Sequence, residues 1–228
     1  MYQHAYTAGA ASPRHIVERP RRRGPMAALG VAGLCLAALA LTWVVAELVP
    51  AAQMKDSAIL NHFVLLGRPG VDDLANALLH LLDPAPFILW ALILVTVALL
   101  RRRPRVAVAI ALVMSLAPLT AETLKPLLAH PHLQIGLTHI DAASWPSGHS
   151  TAAMALVLCA VLVAPARLRP LLAALGAVFA AAVGCSLLIL AWHMPSDVLG
   201  GYLVAALWMA LAVAGLRATD RPRPPAQR

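Results

Sequence analysis

Apolar residues in this chain gather in long unbroken runs: Met26 to Ala46, Pro86 to Leu100, Val106 to Ala121, Thr151 to Ala164, Leu171 to Trp192 and Val198 to Leu216. A helix that is apolar on every face has lipid or protein on every side, so the pattern predicts an all-α, polytopic membrane protein with six transmembrane helices. Several runs are shorter than the roughly 20 residues that a span needs, and their ends must borrow flanking residues or lie where the bilayer is thinned. Pro118 predicts a kink in the third span. Between the first two spans, Lys55, Asp56, Asp72, Asp73 and Asp83 punctuate leucine-rich stretches, and Leu74, Leu78, Leu81 and Leu82 recur at helical spacing. This fits short amphipathic helices on the membrane surface, with a plain solvated connector as the competing reading.

Four segments follow: a basic tail over 1–25, the first span with an external amphipathic segment over 26–84, a membrane core over 85–217 and a second tail over 218–228. The first run is read as a retained span because Glu47-Leu48-Val49-Pro50 offers only a loose cleavage pattern. Composition agrees with a membrane class, since 61% of residues are hydrophobic and only 12% charged. Cys35, Cys159 and Cys185 all fall inside apolar runs, which points to packing rather than to metal ligation or disulfides.

Charge then orients the chain. With the N-terminus inside, fifteen basic residues fall on the cytoplasmic side: five in the first tail, Arg101 to Arg103 with Arg105, the pair Arg167 and Arg169, and four from Arg217 onward. Only Lys55, Arg68 and Lys125 fall outside. The net charge of +8 is thereby explained by orientation and by affinity for anionic lipid, and a nucleic-acid partner is not needed.

The same orientation gathers three polar clusters on the external face. Trp145-Pro146-Ser147-Gly148-His149-Ser150 sets a turn directly before an apolar run, which is the layout of an anion site at a helix N-terminus. His193 and Asp197 stand four residues apart, so the carboxylate can hold one ring nitrogen and leave the other free to attack or to move a proton. Lys125 supplies a cation upstream.

These residues resemble the type-2 phosphatidic acid phosphatase family, membrane lipid phosphatases whose site is related to that of vanadium haloperoxidases. Pro146-Ser147-Gly148-His149 matches the family's Pro-Ser-Gly-His block, and His193 to Asp197 matches its His-x-x-x-Asp. The resemblance covers about residues 86 to 216. It implies hydrolysis of a lipid phosphate or diphosphate (a polyprenyl diphosphate, a phosphatidate or a related phospholipid) with neither metal nor other cofactor. His193 would be the nucleophile, Asp197 its orienting partner and His149 the general acid, while Lys125, Ser147 and Gly148 would hold phosphate oxygens. Two family arginines are replaced: the one due after Lys125 by His132, and the one due before His193 by Leu187. His132 is accordingly a candidate substitute cation. A lipid phosphotransferase, and a lipid-binding or transport protein that has lost catalysis with the arginines, are the alternative readings.

Other polar residues have simpler expected roles. Trp145 and Trp192 are expected as interfacial anchors first and site walls second, Glu122 and Asp141 as structural partners of loop cations, His130 and His139 as solvated loop residues, and Gly200-Gly201 as a close-packing point.

The charge distribution places both termini in the cytoplasm and His149 outside. A cysteine introduced at position 132 should therefore react with an impermeant thiol reagent in intact cells, and one at position 102 should be protected; the reverse pattern would invert the topology.

Overall fold

The computed structural model describes residues 24–131 and 139–219, and among them it is entirely helical apart from connections. Eight α-helices follow one another: α1 (Pro25–Leu48), α2 (Pro50–Val64), α3 (Pro69–His80), α4 (Pro84–Leu100), α5 (Pro104–Leu127), α6 (Gly148–Val163), α7 (Arg169–Ile189) and α8 (Pro195–Thr219). A single 3-10 turn, Ala166–Leu168, joins α6 to α7. Proline opens seven of these helices, since α1 to α5, α7 and α8 each carry it in the first turn, where its missing N–H costs nothing.

The six apolar runs correspond to α1, α4, α5, α6, α7 and α8. By length and hydropathy α1, α5, α7 and α8 can each cross a membrane, and α3 with α4, bent by 52° at their junction, makes up to a fifth if the pair is one span. The sixth, α6, has only 16 residues. Six spans is therefore an approximate description, but a multi-pass membrane protein is not in question: Leu34, Leu41, Leu92, Leu99, Leu112 and Val178 are among many large apolar side chains left half exposed or more on the bundle's flanks. An apolar belt of this extent is not tolerated in water. α5 runs through Pro118 and Pro126 without a break in its assignment.

The connector over 51–84 is helical, with Leu60 of α2 and Leu79 of α3 fully buried. These helices pack on α7, and α2 also on α1 and α8, at the same end of the bundle as the C-terminal end of α5.

At the centre lies α6, which touches α4, α5, α7 and α8, while α1 lies lengthwise along α8. The interior is built largely from small residues, including Ala107, Ala117, Ala121, Ala153, Ala155 and Ala205. That is expected where lipid competes equally well for leucine, because close backbone approach is what holds helices together in a bilayer. Gly200 faces the Trp145 indole, and Gly201 faces Ser147, Ser150 and Thr151, so the Gly200-Gly201 pair does act as a packing point. Of the cysteines, Cys159 is buried, Cys35 half-buried and Cys185 exposed, and all three are free thiols.

Two helices end in a residue with left-handed backbone. At the end of α4, Arg102 has φ 54°, with bonds from the Arg102 N–H to the Leu99 carbonyl and from the Arg103 N–H to the Ala98 carbonyl; at the end of α7, Ala191 has φ 53°, with the equivalent bonds from Ala191 to Leu188 and from Trp192 to Leu187. Both are the Schellman arrangement that glycine usually completes. The second turns the chain sharply and delivers Trp192 and His193 to the head of α8.

A Cβ added at Gly201 would lie 2.0 Å from Ser150 Oγ and 2.5 Å from the Ser147 carbonyl oxygen. Gly201→Ala should therefore destabilise the folded protein by roughly 1–3 kcal/mol, the usual cost of overpacking. Gly33→Ala, where the added carbon meets open space, should leave the thermal midpoint in detergent unchanged or raised.

Candidate active site

Lys125, the Ser147-Gly148-His149 turn and the His193/Asp197 pair meet at one end of the bundle, contributed by the last turn of α5, the first turn of α6 and the α7–α8 junction. Asp197 is the hinge of the arrangement. Its carboxylate Oδ2 lies 3.1 Å from His193 Nδ1 and accepts the Met194 N–H at 2.9 Å, and its backbone carbonyl accepts the Ser147 N–H at 3.0 Å. One residue thus ties the two histidine motifs together. The Asp197 side chain is fully buried and that of His193 is 12% exposed, so the imidazole alone reaches the surface. A proton on Nδ1 facing the carboxylate leaves the Nε2 lone pair free.

The turn before α6 is held just as firmly. The Ser147 carbonyl accepts from the Ser150 hydroxyl at 3.1 Å, the Thr151 hydroxyl at 2.8 Å and the Thr151 N–H at 3.1 Å, while its own hydroxyl caps the helix by accepting the Ser150 N–H at 3.4 Å. Ser147 is completely buried. Its N–H is committed to Asp197 and its hydroxyl oxygen accepts the Ser150 N–H, which leaves the hydroxyl hydrogen as the group it has for a phosphate. The N–H groups of Gly148 and His149 make no such bonds among the described residues, and they point outward from a helix N-terminus.

His149 projects from this turn against Trp192, with ring centroids 5.8 Å apart in an edge-to-face contact. Trp192 is thus a wall of the site, as one of its two expected roles required. Trp145 is not an interfacial anchor: it is 3% exposed and its ring packs under α8 against Gly200. His193, Asp83 and Lys125 all lie within electrostatic reach of the His149 ring.

Lys125 Nζ bonds Glu122 Oε1 at 2.7 Å, confirming a structural partner for Glu122. The same carboxylate oxygen stands 2.6 Å from the point where a Cβ on Gly148 would sit, so it leans over the helix N-terminus. An internal carboxylate thus lies against the α6 N-terminus.

Asp83 was not singled out as a site residue by sequence. It sits in the corner between α3 and α4, 3.8 Å from His149 Nε2 and 2.8 Å from His80 Nδ1. The hydrogen bond from His80 chiefly, and then the neighbouring charges of His80 and His149, hold its carboxyl below the usual carboxylate range. Asp-Pro at a helix start is a capping signal; nothing local in it announces a partner on α6. Asp56 of α2 is a second such residue, accepting the Ser196 N–H at 3.2 Å and the Ser196 hydroxyl at the head of α8. Leu187, at the position of a family arginine, is fully buried in the core. His132 lies outside the described residues. His130 donates its backbone N–H to Ala142, and Asp141 accepts the Ala143 N–H within its own loop.

A groove of about 690 Å³ opens beside the turn, between α4, α5 and α6. Asp83, Glu122, Lys125, Gly148 and His149 line its mouth, and Phe87, Ala91, Val95 and Met114 line its wall. From Phe87 to Val95 the wall descends roughly 12 Å along α4. Polar groups at one end and an apolar trough at the other suit an amphiphile.

A helical membrane protein with a paired-histidine site beside a lipid-shaped groove defines a class of membrane-embedded enzymes acting on phosphate esters. The PAP2 superfamily model matches residues 105–221, just over half of the chain, and the chain belongs to that superfamily. It is accordingly a phosphoester hydrolase of the lipid phosphatase class. The fold is similar to the crystal structure of a transmembrane PAP2-type phosphatidylglycerolphosphate phosphatase from Bacillus subtilis, with a TM-score of 0.67 and 23% identity over 87% of this chain and 98% of that one. No curated protein matches the sequence significantly.

Because Glu122 occupies Lys125 and shadows the α6 N-terminus, Glu122→Gln should tighten competitive inhibition by inorganic phosphate several-fold, and Lys125→Ala should weaken it. Phosphate inhibition unchanged in both variants would separate this pair from the anion seat.

Proposed function

We propose that the chain removes a phosphate from a membrane lipid on the external face of the membrane, through a phosphohistidine intermediate on His193. The observation that carries the reading is the His193–Asp197–Ser147 linkage, which supplies a base with one nitrogen oriented and the other exposed, fixed relative to a helix N-terminus. The Nε2 lone pair attacks phosphorus while the bond to the lipid oxygen breaks, and His149 gives that oxygen its proton. Water then attacks the phosphohistidine, with His149 taking the water's proton, and the N–P bond breaks to release inorganic phosphate and restore His193. Asp197 stabilises the positive charge that develops on the His193 ring during attack. Burial chiefly, and then the neighbouring His193, lower the His149 pKa; Asp83, 3.8 Å from Nε2, opposes them and can pair with the protonated ring that the first step needs.

Lys125 and the N–H groups of Gly148 and His149 are assigned to the phosphate oxygens, with His132 supplying a further cation from the 132–138 segment. The substrate is a phosphorylated lipid whose chain enters the α4–α5–α6 groove; a phosphatidate, a polyprenyl diphosphate and phosphatidylglycerolphosphate, the substrate named for the Bacillus subtilis relative, all meet that requirement. Buried Leu187 favours one rival, a lipid-binding protein without turnover, because an apolar side chain there cannot make the bidentate contact of an arginine. Release of inorganic phosphate from these lipids by purified protein decides between them, and transfer of the phosphate to an added alcohol would mark a phosphotransferase.

His193→Ala and His149→Ala should each lower kcat/KM by about a hundredfold or more with the fold intact. Asp197→Asn should cost less, since the nucleophile remains. Full activity in purified His193→Ala would exclude it as the phosphoryl acceptor.

A further inference from the structure

The end of the bundle opposite the histidines carries a second cavity system. Arg102, Arg103, Arg105 and Arg217 line a pocket of about 430 Å³ between the α4–α5 turn and the last turns of α8. Arg105 and Leu216 also line a separate groove of about 460 Å³ that continues between α5 and α8 to Leu112 and Trp208. Arg105 stands where the two meet, and its guanidinium donates to the Thr219 carbonyl at 2.9 Å. Arg102, Arg103 and Arg217 have no acidic partner among the described residues. Every described carboxylate lies at the histidine end, so none of the described carboxylates offsets this positive charge.

We propose that this pocket and groove form a binding site for an anionic phospholipid of the adjoining leaflet, with its phosphate among the arginines and one acyl chain in the α5–α8 groove. The orientation rule asks only for basic residues in the loops on this side. It does not ask four of them, from two separate segments, to surround one cavity that shares Arg105 and Leu216 with an apolar trough. From Thr219 to Trp208 the trough runs roughly 16 Å along α8, close to the depth of one leaflet of a hydrocarbon core about 30 Å thick. Guanidinium groups suit a phosphodiester because each can offer two parallel donors, and basic pockets between spans are known to select anionic headgroups. The site is independent of the reaction at His193.

Phosphatidylserine is a suitable probe because it is anionic and carries no phosphomonoester. The full-length protein in phosphatidylcholine nanodiscs would be titrated with phosphatidylserine brominated on its acyl chains, following the part of the tryptophan quenching that Trp208→Phe abolishes. The expected result is a preference over equally brominated phosphatidylcholine of about tenfold, falling toward unity in Arg103→Gln/Arg217→Gln and, less completely, in Arg217→Gln alone. Gly215→Phe should remove the quenching by either lipid, since an added side chain there meets only open space and would fill the groove. Equal quenching by the two lipids, or a preference untouched by both arginine variants, would overturn the proposal. Complete competition by soluble glycerophosphoserine would reduce the site to a simple anion pocket, and quenching that appears only after truncation beyond Thr219 would assign the groove to residues 220–228; either result also overturns it.

Discussion

The site depends on the two bonds that Asp197 makes in opposite directions. Its carboxylate holds His193, and its backbone carbonyl holds the Ser147 N–H at the head of α6. A buried carboxylate is costly unless its hydrogen bonds are made, and here Oδ2 accepts from the Met194 N–H and faces the imidazole within four residues of chain, while Oδ1 has no partner among the described residues. The two histidine motifs cannot then drift apart without breaking a backbone bond. Gly200 and Gly201 allow this closeness, because any side chain at either would push the Trp145 ring or the serine-rich turn away from α8.

Electrostatics divides the bundle as sharply as packing unites it. The described carboxylates, with His149 and His193, collect at one end, and the arginines of the α4–α5 turn, Arg167, Arg169 and Arg217 at the other. The lone lysine of the site does not face a bare cationic bowl, since Glu122 neutralises it and Asp83 stands beside His149. A phosphate held there as proposed would therefore be bound by directed N–H groups and by rearranging an existing ion pair more than by long-range attraction.

Much of this was legible in the residues themselves. Continuous apolar runs located all six long apolar elements to within a few residues, because a span in lipid needs no amphipathic rhythm and shows little else. Pro-Ser-Gly-His and His-x-x-x-Asp were legible because a cap, a turn and an i,i+4 pair are local. What escaped was long-range. Asp83 meets His149 only because α4 leans on α6, and Asp56 meets Ser196 across 140 positions of sequence. Trp145 reads as an interfacial residue until α8 is laid over it. Ser147 reads as a ligand-binding hydroxyl, and only the structure shows its carbonyl and hydroxyl oxygen accepting from Ser150 and Thr151 and its N–H reaching Asp197. The helix ends at Arg102 and Ala191 gave no sign either, since each takes a conformation normally announced by glycine.

The shortness of α6 carries a consequence for how a lipid meets the enzyme. Sixteen residues make a rod of about 24 Å, against roughly 37 Å for α8 and a hydrocarbon core of about 30 Å. The N-terminus of α6 is level with the head of α8, because the Ser147 N–H bonds the Asp197 carbonyl in the first turn of that helix, so the missing length falls at the opposite end, where Leu162 lines one pocket with Val213 and Leu216. The turn that carries His149 therefore stays at the rim of the bundle, and a lipid lying along the α4–α5–α6 groove would bring its headgroup up to that rim without lifting its chains from the bilayer.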